Sequence, residues 1–155
     1  MRINQYKTRL DVKSQIAYLV KEQGFNYKAD VNLTSPESIY DFMISHYRLS
    51  EEAVEQVYML AFNSKMKLIG TFKISEGTIN SSLLSPREIF QKALLCNAAN
   101  IVLLHNHPSG NTSPSREDIS ASKRVVDAGK LIGIALCDHL IIGNGYTSLK
   151  EQGLL

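Results

Sequence analysis

The stretch "IVLLHNHPSGNTSPSREDIS", Ile101 to Ser120, carries an apolar run, two histidines, a Pro-Ser-Gly turn and a serine–aspartate pair within twenty positions. "NIVLLH" is too short and too aliphatic for a helix, so it reads as a buried strand. Side chains two apart on a strand leave the same face. His105 and His107 therefore share one side, with Cα atoms about 6.6 Å apart if the strand continues through them. Two ring nitrogens at that spacing can converge on one ion. Pro108-Ser109-Gly110 then turns the chain. The next helix starts near Ser115, with Asp118 in its first turn, from which a carboxylate can reach back to the strand end. Two neutral imidazoles and one carboxylate leave a tetrahedral zinc with an open position for water, the arrangement of catalytic rather than structural sites.

Ser115-x-x-Asp118 also fits an acidic capping box that needs no metal. The two roles are compatible, because a cap fixes where Asp118 points. The pattern H-x-H-x7-S-x2-D arises in about 4 of 10,000 shuffled chains of this composition. Chance is therefore a weak rival to the metal reading.

Working outward, three Ser-Pro pairs punctuate helices. Ser35-Pro36 opens "SPESIYDFMISHY", Ser85-Pro86 opens "SPREIFQKALLCNAAN", and Ser113-Pro114 precedes "SREDISASKRVVDAG". Serine caps free N–H groups, and proline at the first helical position loses no hydrogen bond. Glu88 stands three residues after Ser85, which predicts a second capping box. "AVEQVYMLAF" (Ala53–Phe62) and "MKLIGTFKIS" (Met66–Ser75) flank the turn "NSK" and predict an antiparallel hairpin. "IGIALCDHLIIG" (Ile132–Gly143) predicts one or two strands with a bend near Asp138. Asn4–Val12 reads as an edge strand and Lys13–Gly24 as a short helix. This mixed order predicts an α/β or α+β layered domain.

At 155 residues the chain suits one domain with a substantial core. With 44% hydrophobic and 21% charged residues, the composition is that of an ordinary soluble globular protein. A formal net charge of +2 gives no strong bias toward nucleic acid or an anionic membrane. The early basic residues Arg2, Lys7, Arg9, Lys13, Lys21 and Lys28 are diluted by Asp11, Glu22 and Asp30 and read as a solvated face. Cys96 and Cys137 form no ligand or redox spacing and are expected as buried free thiols. No apolar run reaches membrane-span length and the N-terminus lacks a signal-peptide core, so a cytoplasmic location is expected. His139 reads as a hydrogen-bonded structural histidine and His46 as a helix-end cation. Gly77-Thr78 reads as a turn, and Tyr6, Tyr18 and Tyr27 as packing residues.

His105-x-His107, Ser115 and Asp118 match the JAMM motif of MPN-type metalloproteases. "HNHPSG...PSREDI", with "SPREIFQKAL" before it and "DHLIIG" after it, resembles the RadC family in particular. The resemblance runs from around Ser35 to Leu155. It implies a cytidine-deaminase-like three-layer α-β-α domain with a mixed sheet over residues 34–155. Residues 1–33 are then an N-terminal extension packed on the core. It also implies one Zn2+ per chain held by His105, His107 and Asp118, and a Ser115 that orients the catalytic water or the oxyanion. RadC-like chains often carry a helix-hairpin-helix region before this domain; these residues leave no room for one, which weakens any DNA-binding expectation from that source.

A zinc-bound water needs a proton acceptor, and one carboxylate can take that proton and return it to the leaving amine. Among Glu51, Glu52, Glu55, Glu76, Glu88 and Glu117, the best placed is Glu55. It shares a strand face with Val57, Met59 and Ala61, and an acid entering an apolar sheet needs a reason. JAMM proteases take their glutamate from an early strand, and "EQVYML" resembles that segment. The alternative is an exposed strand-edge charge. The functional expectation is a zinc-dependent hydrolase, a metallopeptidase or isopeptidase acting on a peptide or protein. The rivals are a non-catalytic zinc accessory in DNA repair or mobile-element biology and a metal-dependent nuclease. A zinc base deaminase is excluded by the absence of H-x-E with P-C-x-x-C.

Overall fold

The computed structural model describes residues 2–26, 33–77 and 84–155. Tyr27, Lys28, Asp30 and Thr78 lie outside them. Strands β1 (Arg2–Leu10) and β2 (Ala17–Asn26) come first, followed by helix α1 (Pro36–Tyr47). The hairpin β3 (Glu55–Phe62) and β4 (Leu68–Gly77) precedes α2 (Pro86–Leu95). β5 (Asn100–Asn106), α3 (Arg116–Ile132), β6 (Ala135–Gly143) and β7 (Gly145–Ser148) complete the order. The seven strands among the described residues form one sheet in the order β2-β1-β4-β3-β5-β6-β7. β1 with β4 and β5 with β6 are parallel, and the remaining neighbours are antiparallel.

Alternation along β3 and β5 divides the core between the sheet's two faces. Tyr58, Leu60, Phe62, Val102 and Leu104 pack with Ile39, Phe42 and Met43 of α1. Val57, Met59, Ala61, Ile101 and Leu103 pack with Ile89, Phe90 and Ala93 of α2 and with Ala121 and Val125 of α3. The result is a three-layer α/β domain with a mixed sheet, the layering the resemblance implies. The central strands are buried on both sides, which is why they read as aliphatic runs rather than as clean alternation.

The helix predicted over Lys13–Gly24 does not form; residues 17–26 are β2. Asp11 turns the chain by accepting from the backbone N–H groups of Lys13 and Ser14. β2 then pairs along nearly all of β1. Cross-strand contacts Lys7–Glu22, Gln5–Glu22 and Gln23–Gln5 add to the ladder. Tertiary pairing thus overrides a helical spacing of apolar residues. The hairpin joins the sheet where Gln5 and Tyr6 meet Thr71 and Phe72 of β4.

Helix starts follow the Ser-Pro signals with one exception. Ser35 and Ser115 cap α1 and α3 through reciprocal capping boxes. Ser85 makes no side-chain bond to α2, so the predicted Ser85–Glu88 box is absent. Pro86, with its fixed φ, begins that helix without one. β6 is a single strand. Its pairing steps from Leu136 to Asp138, so a bulge at Cys137 replaces the expected bend. Cys96 and Cys137 are free but half-buried rather than buried. Among the described residues, no helix is long and apolar enough to cross a membrane.

Candidate metal centre

β5 and α3 meet the remaining strands at the end of β5 that carries His105. His105 lies on the α2/α3 face, beyond Ile101 and Leu103 along the same alternation. His107 follows the strand end, and its backbone N–H donates to the Ile142 carbonyl at 2.8 Å, which ties it to β6. The loop after it rests on the β6–β7 turn, where Asn144 N–H donates to the Gly110 carbonyl at 2.8 Å. Gly110 is left-handed at φ +77°, and a Cβ on Gly143 would stand 2.4 Å from the Gly110 carbonyl oxygen. Only glycine at both positions lets the loop close this tightly.

Asp118 arrives from the first turn of α3. Ser115 Oγ accepts from Asp118 N–H at 3.0 Å, while Ser115 N–H and Oγ–H donate to Asp118 Oδ2 at 2.8 and 2.7 Å. The cap and the aim of the carboxylate are therefore one structure. His105 Nε2 lies 3.4 Å from Asp118 Oδ1, and His107 Nε2 lies 3.5 Å from Asp118 Oδ2. The two Nε2 atoms are 3.0 Å apart. A tetrahedral zinc with bonds of 2.0–2.1 Å sets its ligand atoms about 3.3 Å from one another. The donor types suit a zinc-type ion, and with one ligand atom from each residue within 4.8 Å of the others these three residues can hold a metal.

The three side chains also perturb one another electrostatically. Burial alone would raise the Asp118 carboxyl, but the neighbouring rings of His105 and His107 and the hydrogen bond from Ser115 hold it well below the usual carboxylate range. The Asp118 carboxylate raises His107 against its partial burial, and the Asn111 carbonyl and the Glu55 charge act in the same direction. His139 is fully buried and pushed well below the ordinary histidine value, by burial first and by the neighbouring His105 second.

Glu55 is the half-buried first residue of β3. Val57 pairs with His105, so the antiparallel register carries Glu55 toward the level of His107, on the same face as His105. The backbone around Glu55 is clamped by Asn106, the residue between the two histidines. Asn106 Oδ1 accepts from Gln56 N–H at 2.8 Å, and its Nδ2 donates to the carbonyls of Val54 and Glu52 at 3.1 and 3.3 Å. This clamp was not anticipated from sequence. Its available signal was a polar residue pointing to the opposite face inside a buried strand. Of the other glutamates, Glu51 pairs with Arg48 and Glu76 with Lys73. His139 is the structural, hydrogen-bonded residue expected, while His46 contacts the Phe42 carbonyl near the end of α1. Tyr6 stacks on Phe72, whereas Tyr18 is largely exposed.

Residues 33–154 match a family described as the RadC-like JAB domain. The chain is 42% identical over 126 residues to a UPF0758 protein of Symbiobacterium thermophilum, covering 81% of this chain and 53% of that protein. It is 42% identical over 136 residues to a UPF0758 protein of Caldanaerobacter subterraneus, covering 87% and 56%. A UPF0758 protein of Methanosarcina acetivorans is 41% identical over 124 residues, covering 79% and 53%. The chain thus spans about half the length of these curated relatives.

Proposed function

This chain belongs to the RadC-like JAB domain family, and from that premise we propose that it is a zinc-dependent hydrolase cleaving an amide bond in a peptide or protein. The observation that carries the reading is the convergence of His105 Nε2 and His107 Nε2, 3.0 Å apart, with an Asp118 carboxylate oxygen at 3.4 Å from the first and its other oxygen at 3.5 Å from the second. Glu55 faces the same side from the neighbouring strand. His105, His107 and Asp118 would hold one zinc ion. When bound, zinc lowers the pKa of water toward neutrality and polarises a carbonyl.

Glu55 accepts the proton of the attacking water and returns it to the departing nitrogen, so one carboxylate serves both halves of the reaction. Asn106 fixes the backbone on either side of Glu55 and so holds the strand end from which that carboxylate acts. Ser115 rests its hydroxyl proton on Asp118 Oδ2. It turns that proton to the oxyanion developing on the substrate, a contact worth about 3 kcal/mol in comparable sites.

The test compares metal content and peptide hydrolysis in wild type, His107→Ala and Glu55→Gln. The expected result is near-stoichiometric zinc in wild type and Glu55→Gln, loss of zinc in His107→Ala, and hydrolysis of a quenched peptide library by wild type alone. Wild type that takes up no zinc after reconstitution refutes the metal centre. Glu55→Gln that cleaves at the wild-type rate refutes the acid–base assignment.

A further inference from the structure

His105 offers its Nε2 to the metal centre, and its other ring nitrogen leads to a pair of buried residues outside the ligand set. His105 Nδ1 lies 2.7 Å from His139 Nε2, and His139 Nδ1 lies 2.6 Å from Ser122 Oγ. Ser122 Oγ in turn lies 2.6 Å from the Asp118 backbone carbonyl. Ser122 and His139 show no exposure to solvent and His105 is 3% exposed, so water does not compete for these bonds.

The direction of every proton in this chain follows from its far end. A carbonyl oxygen only accepts, so the single Ser122 hydroxyl proton points to Asp118. Ser122 Oγ must then accept from His139, which places a proton on His139 Nδ1. His139 has no carboxylate contact and no solvent, and a buried charge without a partner is strongly disfavoured, so the ring is neutral. Its Nε2 therefore carries a lone pair and accepts from His105 Nδ1–H. A neutral His105 protonated at Nδ1 has a bare Nε2 facing His107 and Asp118.

His107 also carries a proton on Nδ1, which donates to the Asn111 carbonyl at 2.7 Å; its Nε2 stands 3.0 Å from the bare Nε2 of His105 and can donate to it until a metal takes the place of that proton. The orienting groups differ in kind. A backbone carbonyl can only accept, whereas a histidine ring can either accept or donate. Without Ser122, the His139 ring is free to carry its proton on Nε2 and to force the wrong tautomer onto His105.

We propose that Ser122 and His139 form a proton-direction relay that fixes His105 as the Nδ1–H tautomer and so presents its Nε2 lone pair for metal. Both are positioning residues: they act on the metal through His105 and touch neither metal nor substrate. The relay also links the ligands to one another. Ser122 draws its direction from the backbone of Asp118, so the α3 turn that aims the carboxylate also sets the tautomer of the histidine.

This inference rests on the zinc reading above, and the experiment separates the two. The ring nitrogens of full-length, metal-free wild type at pH 8 are assigned by NMR with 15N-labelled histidine. Zinc affinity is then measured by chelator competition for wild type, His139→Leu, His139→Gln and Ser122→Ala. Expected are a protonated Nδ1 and a bare Nε2 on His105 in wild type, and a mixed tautomer in Ser122→Ala. His139→Leu should bind zinc roughly 10- to 100-fold more weakly, while His139→Gln, whose amide oxygen still accepts from His105, stays within about threefold of wild type. A proton on His105 Nε2 in wild type overturns the relay, as does wild-type zinc affinity in His139→Leu. Should His139→Leu not fold, the wild-type and Ser122→Ala ring assignments decide the question. The expected tautomer in a wild type that binds no zinc upholds the proton directions and refutes the metal centre instead.

Discussion

Replacing Asn106 with leucine tests whether the residue between the histidines holds the strand entry that carries Glu55. The side chain is 1% exposed and makes three hydrogen bonds to the backbone of residues 52–56. Leucine keeps the branched outline, is somewhat larger and offers no polar atom, so the change removes bonds without opening a cavity. The buried Gln56 N–H loses its only side-chain partner and incurs about 1–3 kcal/mol of unsatisfied burial. The Val54 and Glu52 carbonyls sit nearer the surface and lose about 0.5–1.5 kcal/mol each. Because water recovers part of the carbonyl loss, the expected destabilisation is about 3 kcal/mol. For a chain of this size that lowers the thermal midpoint by about 10 °C. Urea unfolding monitored by circular dichroism measures the change, with the m-value expected to stay constant. Hydrogen exchange at the Gln56 amide localises it. Zinc affinity should stay near wild type, since none of the three ligands bonds to this side chain. A midpoint change equivalent to less than 1 kcal/mol, with Gln56 still protected, would show that the 52–56 segment is held by something other than Asn106.

Gly143→Ala drives a Cβ into the Gly110 carbonyl at 2.4 Å, and because that oxygen belongs to backbone and the Cβ is fixed to its own, the loop must move. About 1–3 kcal/mol of stability should be lost, with weaker zinc binding because His107 leads into that loop; unchanged affinity would separate the loop from the ligand. Ser115→Ala removes the α3 cap and should cost about 1 kcal/mol, whereas Ser115→Gly should cost only a few tenths. If glycine restores hydrolysis along with stability, Ser115 is a cap and nothing more. The pH dependence of the metal-free protein carries a further sign. His139 is held far below its unfolded value, so the native state resists a proton the unfolded chain accepts, and stability falls as pH drops below about 6.5 at up to about 1.4 kcal/mol per pH unit. His107, with its raised value, acts in the opposite direction over the window above 6.5. The difference between wild type and His139→Gln isolates the first effect: the variant should lose less stability between pH 6.5 and 5, and parallel curves would refute it.

The candidate triad could be picked out because it lies within fourteen positions and obeys local rules: strand alternation for His105 and His107, a helix cap for Asp118. Central strands and helix starts were legible for the same reason, since aliphatic runs and Ser-Pro pairs act over a few residues. β2 was not, because its strand character comes from a partner strand and its own spacing suits a helix as well. The capping box at Ser85 failed differently. The residues are right, but Pro86 already starts the helix and the Ser85 side chain makes no bond there. Least legible were the groups supporting the site. Asn106 reaches back 50 positions to Gln56, and His139 lies 34 positions from His105. His139 is brought to that ring by the parallel register of β5 and β6, where the Cys137 bulge shifts the pairing so that Leu103 stands opposite His139. Without that bulge every residue beyond Cys137 would face the opposite layer. His139 would then point toward α1, away from Ser122. A one-residue irregularity in a ladder thus decides whether the histidine in "DHLIIG" reaches His105, and the sequence betrays it only as a cysteine ahead of an aspartate.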